Sequence, residues 1–388
     1  MLMFSRLLMI KRSEILGFQI NDDTGEITYT DDAVGMTPMS ITDGVFNPGS
    51  WGGRWVADIK PCLLQSLVPN YYLKKTDEFA IDYSKQENDS ASDITSGNDG
   101  DVMNEIQLSY YKFWEETVGG TLYKHFQVSR ELPDSSYCAN AFLSRDNVVQ
   151  SKIFLPAYDG VVLNNKLRSL SGTPPTVNHT IGEFRTYANA NGIGYEQFDQ
   201  TKWGFLTNLM ILFFKGFDSQ TLIGKGVTDA SAAINTGTMN DKPLFCGDQT
   251  GTNGMKFMGI ENFYGNIFKF LDGVGYLASN NFGYKIVPPY NDDRTGYEDS
   301  GVAIPTTGWI NRMSRANGYG MLPSATVAAE ADSRYKDYID TLSGNYPITS
   351  WGGFWGLGSN AGAFAWYGSS ASTPYAIMGA SLFATPQG

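Results

Sequence analysis

Residues 351–368 read WGGFWGLGSNAGAFAWYG, and from Thr341 to Gly388 the chain carries no Asp, Glu, Lys or Arg. No run of about 18 apolar residues survives the Gly, Ser and Asn interruptions, so the stretch is not a bilayer span. Its Trp, Phe and Tyr side chains drive contact with something, which excludes disordered filler. Two readings remain, a tightly packed glycine-rich core and an aromatic recognition surface, and both are expected of it. Ala363, Ala365 and Tyr367 alternate with Phe364 and Trp366, and Ala376, Met378, Ala380 and Leu382 alternate with Ile377, Gly379 and Ser381. That period of two predicts a closing pair of strands joined by an exposed small-residue loop, Gly368–Pro374. The glycines at 352, 353, 356, 358 and 362 admit positive φ or a close approach of backbone to backbone.

The rest of the chain sets this stretch apart. Among 388 residues, 18% are charged and 14% aromatic, with 43 Gly and 16 Pro. Such a composition suits a β- and loop-rich protein rather than a helical bundle, and the length allows two or three domains. A net charge of −12 without a dense basic stripe argues against binding nucleic acid through its phosphates. Cys62, Cys138 and Cys246 are far apart and form no Cys-x-x-Cys pair, so neither a zinc site nor a disulfide framework is expected. With His125 and His179 the only histidines, no metal or cofactor is expected. The N-terminal MLMFSRLLMIKR is too short in its apolar run for a signal h-region and reads as an irregular start or docking arm. Two matches to the N-glycosylation pattern, at Asn88 and Asn178, lack a secretory signal and are read as chance.

Strand and turn signals dominate the front of the chain. Gly17–Ile20 and Ile27–Tyr29 flank Asp22-Asp23-Thr24-Gly25, which predicts a hairpin. Residues 84–101 are polar and acidic and read as an exposed loop. Ile106, Leu108 and Tyr110 alternate with polar neighbours, and Gly119-Gly120 turns the chain into Leu122–Val128 as a second hairpin. Asp159-Gly160, between Ile153–Leu155 and Val161–Leu163, is a further turn signal, and Ser169–Pro175 marks a boundary or a crossing loop. The main helix is expected over Thr201–Phe217, where Trp203, Leu206, Met210, Phe213 and Phe217 recur at spacings of three and four behind a Thr201 cap. It is apolar nearly all round and should be buried against a sheet. A shorter helix is expected over Ser333–Leu342 from the spacing of Tyr335, Tyr338 and Leu342.

Three segments then bring a family into view: GIENFYGNIFKFLDG at 259–273, Trp351–Gly353 with Phe354-Trp355-Gly356, and the closing GAFAWYG…IMGASL. Together they resemble the C-type-lectin-like fold that tailed bacteriophages use for receptor-binding proteins. Retroelement-diversified variable proteins and formylglycine-generating-enzyme-like domains share the pattern. The front is similar to a structural protein of gut-bacterial phages, on YTDDAVGM at 29–36, GSWGGRW at 49–55, PCLL at 61–64 and KLRSLSG at 166–172. The fold class implied is α+β and β-rich. It places an all-β attachment and oligomerisation region at residues 1–150, then a loop-rich C-type-lectin-like domain with one main buried helix at 151–388. The resemblance implies a virion fibre or tail-tip protein, a homotrimer joined to other virion proteins through its N-terminal region. It would meet a host-surface glycan or protein, without nucleic acid and without membrane insertion. The catalytic cysteine pair of formylglycine-generating enzymes is absent, and so are the Glu-Pro-Asn and Gln-Pro-Asp tripeptides of calcium-dependent lectins.

The residues expected to meet a ligand are Trp351, Phe354, Trp355, Ser359, Asn360, Trp366, Tyr367, Ser369, Ser370, Thr373 and Tyr375. Trp and Tyr supply large rigid contact area, and Ser and Asn supply adaptable hydrogen bonds. Two other readings use the same chain. A capsid head-fibre or decoration protein would bury the neutral segment between subunits, where charge is depleted. A surface-polysaccharide-degrading enzyme would need two carboxylates held across a sugar, and Asp292, Asp293, Glu298 and Asp299 are its candidates.

Overall fold

The computed structural model of the chain describes residues 13–341 and 348–387. The N-terminal arm, Leu342 and Gly388 lie outside them. Among the described residues strands account for 39% and helices for 12%, so the fold is β-rich and not clearly α+β. Three sheets carry the architecture. An antiparallel four-stranded sheet orders Ile27–Asp31, Ile15–Asn21, Thr121–Ser129 and Tyr110–Val118 side by side. Both predicted front hairpins are in it. Ile106 is not, because the chain leaves one sheet at Gln107 and enters another at Tyr110.

A seven-stranded sheet runs Tyr195–Gln197, Leu382–Ala384, Lys152–Pro156, Asp101–Gln107, Ile59–Gln65, Val68–Asp77 and Ala80–Gln86. Residue 150 thus falls between two strands, Asp101–Gln107 and Lys152–Pro156, that pair with each other, and the last strand of the chain closes onto the same sheet. A nine-stranded sheet, built around Phe268–Tyr276, Ile348–Trp351 and Trp366–Ser369, is nearly closed on itself. The two predicted closing strands do not pair with each other. Trp366–Ser369 sits between Ile348–Trp351 and Tyr338–Asp340, whereas Met378–Gly379 runs parallel to Phe268–Tyr276 and Leu382–Ala384 joins the seven-stranded sheet. Alternation marked these segments as strands; their partners are distant in sequence and local pattern does not name them.

Helix α1 (Ile181–Asn189) opens with a capping box in which Thr180 accepts from the Glu183 N–H at 3.2 Å and Glu183 accepts from the Thr180 N–H at 2.7 Å. Helix α2 (Gln200–Phe214) is the predicted main helix, but its cap is Asp199, which accepts from the N–H groups of Thr201 and Lys202 at 2.9 and 3.1 Å. All but one of its residues are buried. Trp203 meets Trp366 edge-on at 4.9 Å, Phe205 stacks on Tyr111 at 5.0 Å, and Phe213 meets Trp51 at 5.1 Å. One helix therefore fills the space between the four-stranded and nine-stranded sheets. Each fully buried Leu, Ile or Phe there contributes about 1.5–3 kcal/mol.

The helix expected over Ser333–Leu342 does not form. Lys336 takes φ +57°, the Ser333 hydroxyl donates to the Ile310 carbonyl at 2.6 Å, and Tyr338–Asp340 is a strand. Tyr335 is held by Phe217 and Phe364 at 4.7 and 4.8 Å, while Tyr338 meets Trp309 across the sheet. Their spacing reflects two separate packing partners, not one helical face. No helix among the described residues is long and apolar enough to cross a membrane.

Candidate functional site

Asn266, the second residue of the Gly-Asn pair in GIENFYGNIFKF, lies at the centre of the C-terminal loops. It takes φ +63° and is fully buried. Its side chain accepts from the Ile234 N–H at 2.8 Å and donates to Asp159 at 2.9 Å and to the Ile234 carbonyl at 3.2 Å. Its own carbonyl accepts from the Trp355 N–H at 3.1 Å. One side chain and its backbone thus fasten the 229–235 loop and the 352–360 loop to the sheet.

Beneath Asn266 lies an ion pair closed to solvent. Lys269 Nζ stands 3.2 Å from Asp159 Oδ1, with side-chain exposures of 2% and 0%. Lys269 also donates to the carbonyls of Gly265 and Ile267, and Asn262 donates to Asp159. Asp159 Oδ2 accepts from both Asn262 and Asn266, while Oδ1 has only the ammonium beside it, so the pair depends on its own attraction as well as on these hydrogen bonds to stay in a dry interior. Asp159, expected in an ordinary turn, instead clamps the chain after Lys152–Pro156 against the strand Phe268–Tyr276. Nearby, buried Glu261 accepts from the N–H groups of Gly237, Thr238 and Met239 at 2.9–3.2 Å and fixes the chain that follows the 229–235 loop. Burial pushes its carboxyl up to about 7.

Backbone hydrogen bonds then join four surface loops edge to edge. Ala230 donates to the Trp355 carbonyl at 2.8 Å and Gly358 to that of Thr228 at 2.7 Å. Gly172 and Thr236 are joined at 2.8 Å, Thr236 and Thr173 at 3.0 Å, and Asn178 donates to the Tyr375 carbonyl at 3.0 Å. Phe268 links the last two loops: its N–H donates to the Ile377 carbonyl at 2.9 Å, and its ring meets Phe354 at 5.5 Å. The stretches 172–178, 229–235, 354–360 and 370–377 therefore form one continuous face, and Asp229 is the single Asp, Glu, Lys or Arg in it. At its margin the Ser359 hydroxyl donates to Glu330 at 3.1 Å.

The expected ligand residues divide between this face and the core. Ser359 and Thr373 are exposed, and Phe354, Trp355, Asn360, Tyr367, Ser370 and Tyr375 are half-buried. Tyr367 stands lowest of these, its ring 4.4 Å from Phe268. Trp351, Trp366 and Ser369 are corrected to core positions. Trp351 is packed between Phe198 at 5.7 Å and Phe263 at 4.8 Å, Trp366 is wedged against Trp203, and the Ser369 hydroxyl faces Ser350 and the Met378 sulfur. Trp351 and Trp366 are register partners on one face of the sheet and Ser369 lies on the other, and both faces are covered at these positions.

Glycine is required at two points in this segment. Gly353 has φ +82°, and a Cβ there would run into Ala361. A Cβ on Gly362 would collide with the Asp337 carboxylate. Asp337 itself is 1% exposed and accepts from the Phe364 N–H at 2.6 Å. Burial, with Asp218 and Glu330 nearby, pushes its carboxyl well above the ordinary range.

The carboxylates considered for catalysis are occupied locally. Asp292 pairs with Arg185, which also grips Asp272. Glu298 accepts from the Tyr284 hydroxyl at 2.7 Å, Asp293 from the Thr295 N–H at 2.9 Å, and Asp299 from Ser279, Asn281 and Gly301 at 2.8–2.9 Å. These bonds hold Asp293 and Asp299 below the usual carboxylate range, the wrong direction for a general acid. Cys62 and Cys246 are buried, and all three thiols are pushed up by burial, Cys138 and Cys246 to about 12, so none is an activated nucleophile. Among the described residues no group of His, Cys, Asp and Glu is placed to hold a metal ion.

Sequence reasoning missed the 229–235 loop and did not assign 172–178 to the face. A signal was present in both: small residues, uncharged but for Asp229, in GTPPTVN and DASAAIN, beside glycine and proline turns. Comparison with known protein families finds no family model that matches this chain, and comparison with curated proteins finds none similar to it.

Proposed function

We propose that the chain is a non-enzymatic virion protein of a tailed bacteriophage. On this reading it is a fibre or tail-tip component that recognises a host-surface receptor through the neutral C-terminal face. The supporting observation is the face itself, in which half-exposed aromatics and small hydroxyl and amide side chains are held by buried polar anchors and carry almost no charge. A rigid frame that presents adaptable contacts lowers the entropic cost of binding. The local self-pairing of the candidate carboxylates favours recognition over hydrolysis. The resemblance of the motifs Gly259–Gly273 and Trp351–Gly356 to those of C-type-lectin-like domains supports this reading, and the central position of Asn266 gives the Gly-Asn pair a physical purpose. The protein then assembles as a homotrimer, joined to other virion proteins through its N-terminal region, with the face outward. Fab fragments against residues 368–377 test this on intact particles: labelling at the particle surface and blocked adsorption are expected. Failure of the Fab to reach the segment on intact virions would shift the role to assembly.

A further inference from the structure

We infer that the four-loop face binds an uncharged polysaccharide, and that the 229–235 loop is part of the site. This deepens the recognition reading and rests on it. The first ground is electrostatic. Asp229 is the one charged side chain in the four loops, and Glu330, at the margin, is engaged by Ser359. No Lys or Arg lies within these loops to receive a phosphate, sulfate or uronate; Lys225 stands at one end beside Asp229, and the carboxylates of Asp229 and Glu330 disfavour an anionic chain. A cationic ligand finds no better partner, because Asp229 lies at one end of its loop with Lys225 beside it.

The second ground is the chemistry that is present. Ser231, Asn235, Ser359 and Thr373 are exposed, and each can both donate and accept hydrogen bonds. Trp355 and Tyr375 lie among them, half-buried, with the indole held upright by its edge contact to Phe354 at 5.3 Å. Hydroxyl and amide groups around aromatic surface match a sugar, which has hydroxyls at its edges and C–H groups on its faces. A protein partner fits less well. About a quarter of an average protein's residues are charged, and those covered by this face would lose water without gaining a counter-charge.

The third ground is construction. The 229–235 loop is bonded to Asn266 at Ile234 and to Trp355 at Ala230, so it and the 354–360 loop share one anchor and move as a unit. Ser231, exposed, directly follows Ala230, whose N–H meets the Trp355 carbonyl, so its hydroxyl is available beside that residue.

The test uses the full chain, fluorescently labelled, on bacterial cells that adsorb the particle. Cells are left untreated, oxidised with periodate to cleave vicinal diols, or digested with proteinase K. Periodate treatment and Trp355→Ala are each expected to lower binding at least about tenfold. Ser231→Glu, an exposed change that leaves the core intact, is expected to do the same. Protease treatment, and raising salt from about 50 to about 500 mM, should change binding less than about twofold, since no ion pair is involved. Loss of binding on protease but not on periodate would overturn the inference in favour of a protein receptor. A steep fall with salt would overturn it in favour of a charged ligand. Full binding by Ser231→Glu beside loss by Trp355→Ala would remove the 229–235 loop from the site. Absence of binding to untreated cells would instead overturn the recognition reading itself.

Discussion

Two parts of the uncharged terminal segment share one composition and have opposite surroundings. Trp351 and residues 361–366 are sealed in the core, whereas 354–360 and 370–377 lie at the surface. The difference comes from what each is fastened to. The inner part rests on helix α2 and on aromatic rings from three directions, and its aromatics have no room to meet anything else. The outer part is tied through backbone groups to Asn266, Thr228 and Asn178, which leaves its side chains free to vary. Composition alone does not distinguish a core from an exposed face; the type of anchoring does.

The comparison can be broken most forcefully from the inside. Trp366→Ala removes a fully buried indole packed against Trp203 and Phe282 and should cost about 3–5 kcal/mol in denaturant unfolding. Tolerance of this change within about 1 kcal/mol would mean the inner part is not core. Next in size is Lys269→Met, which strands the Asp159 carboxylate in a dry interior at a cost of about 3 kcal/mol. Adding Asp159→Leu to Lys269→Met should restore much of the loss. A double variant as unstable as the single one would contradict the ion-pair account.

A smaller, pH-dependent effect belongs to Asp337, which lies where inner and outer parts meet. Its folded pKa is raised far above the unfolded value. The unfolded chain therefore gives up this proton first, and the contribution of Asp337 to stability is full below about pH 4 and is lost as pH rises above it. Asp337→Asn keeps the shape without the ionisation, so it should raise Tm at pH 8 and flatten the fall in Tm between pH 5 and pH 8. A parallel shift at every pH would assign Asp337 a purely steric role. The smallest stability effect is expected of Trp355→Ala, less than about 1 kcal/mol, because the indole is half-buried and no polar group is stranded.

Much of the fold was legible where the signal is local. The three-and-four spacing of apolar residues over Thr201–Phe217 identified helix α2, which ends at Phe214, and paired alternations around Asp22–Gly25 and Gly119-Gly120 identified both front hairpins. The capping box Thr180–Glu183 was equally readable and was passed over. Misreadings came where one local pattern serves several distant partners, as with Tyr335 and Tyr338, or with closing strands that enter two different sheets. The site was half legible for the same reason. Missing charge located 354–360 and 370–377, but only the bonds to Asn266 and Trp355 bring 229–235 beside them. The burial of Trp351, Trp366 and Ser369 depends on cover over both faces of the sheet, which alternation within one segment does not encode.

The central claim is that the outer part recognises and the inner part holds, and one paired measurement tests it most directly. Thermal unfolding and cell binding are to be measured together on the full chain carrying Trp355→Ala and Tyr375→Ala. The account predicts a Tm lowered by no more than about 4 °C and binding reduced at least about tenfold. Unchanged binding, or binding lost only in step with unfolding, would contradict it.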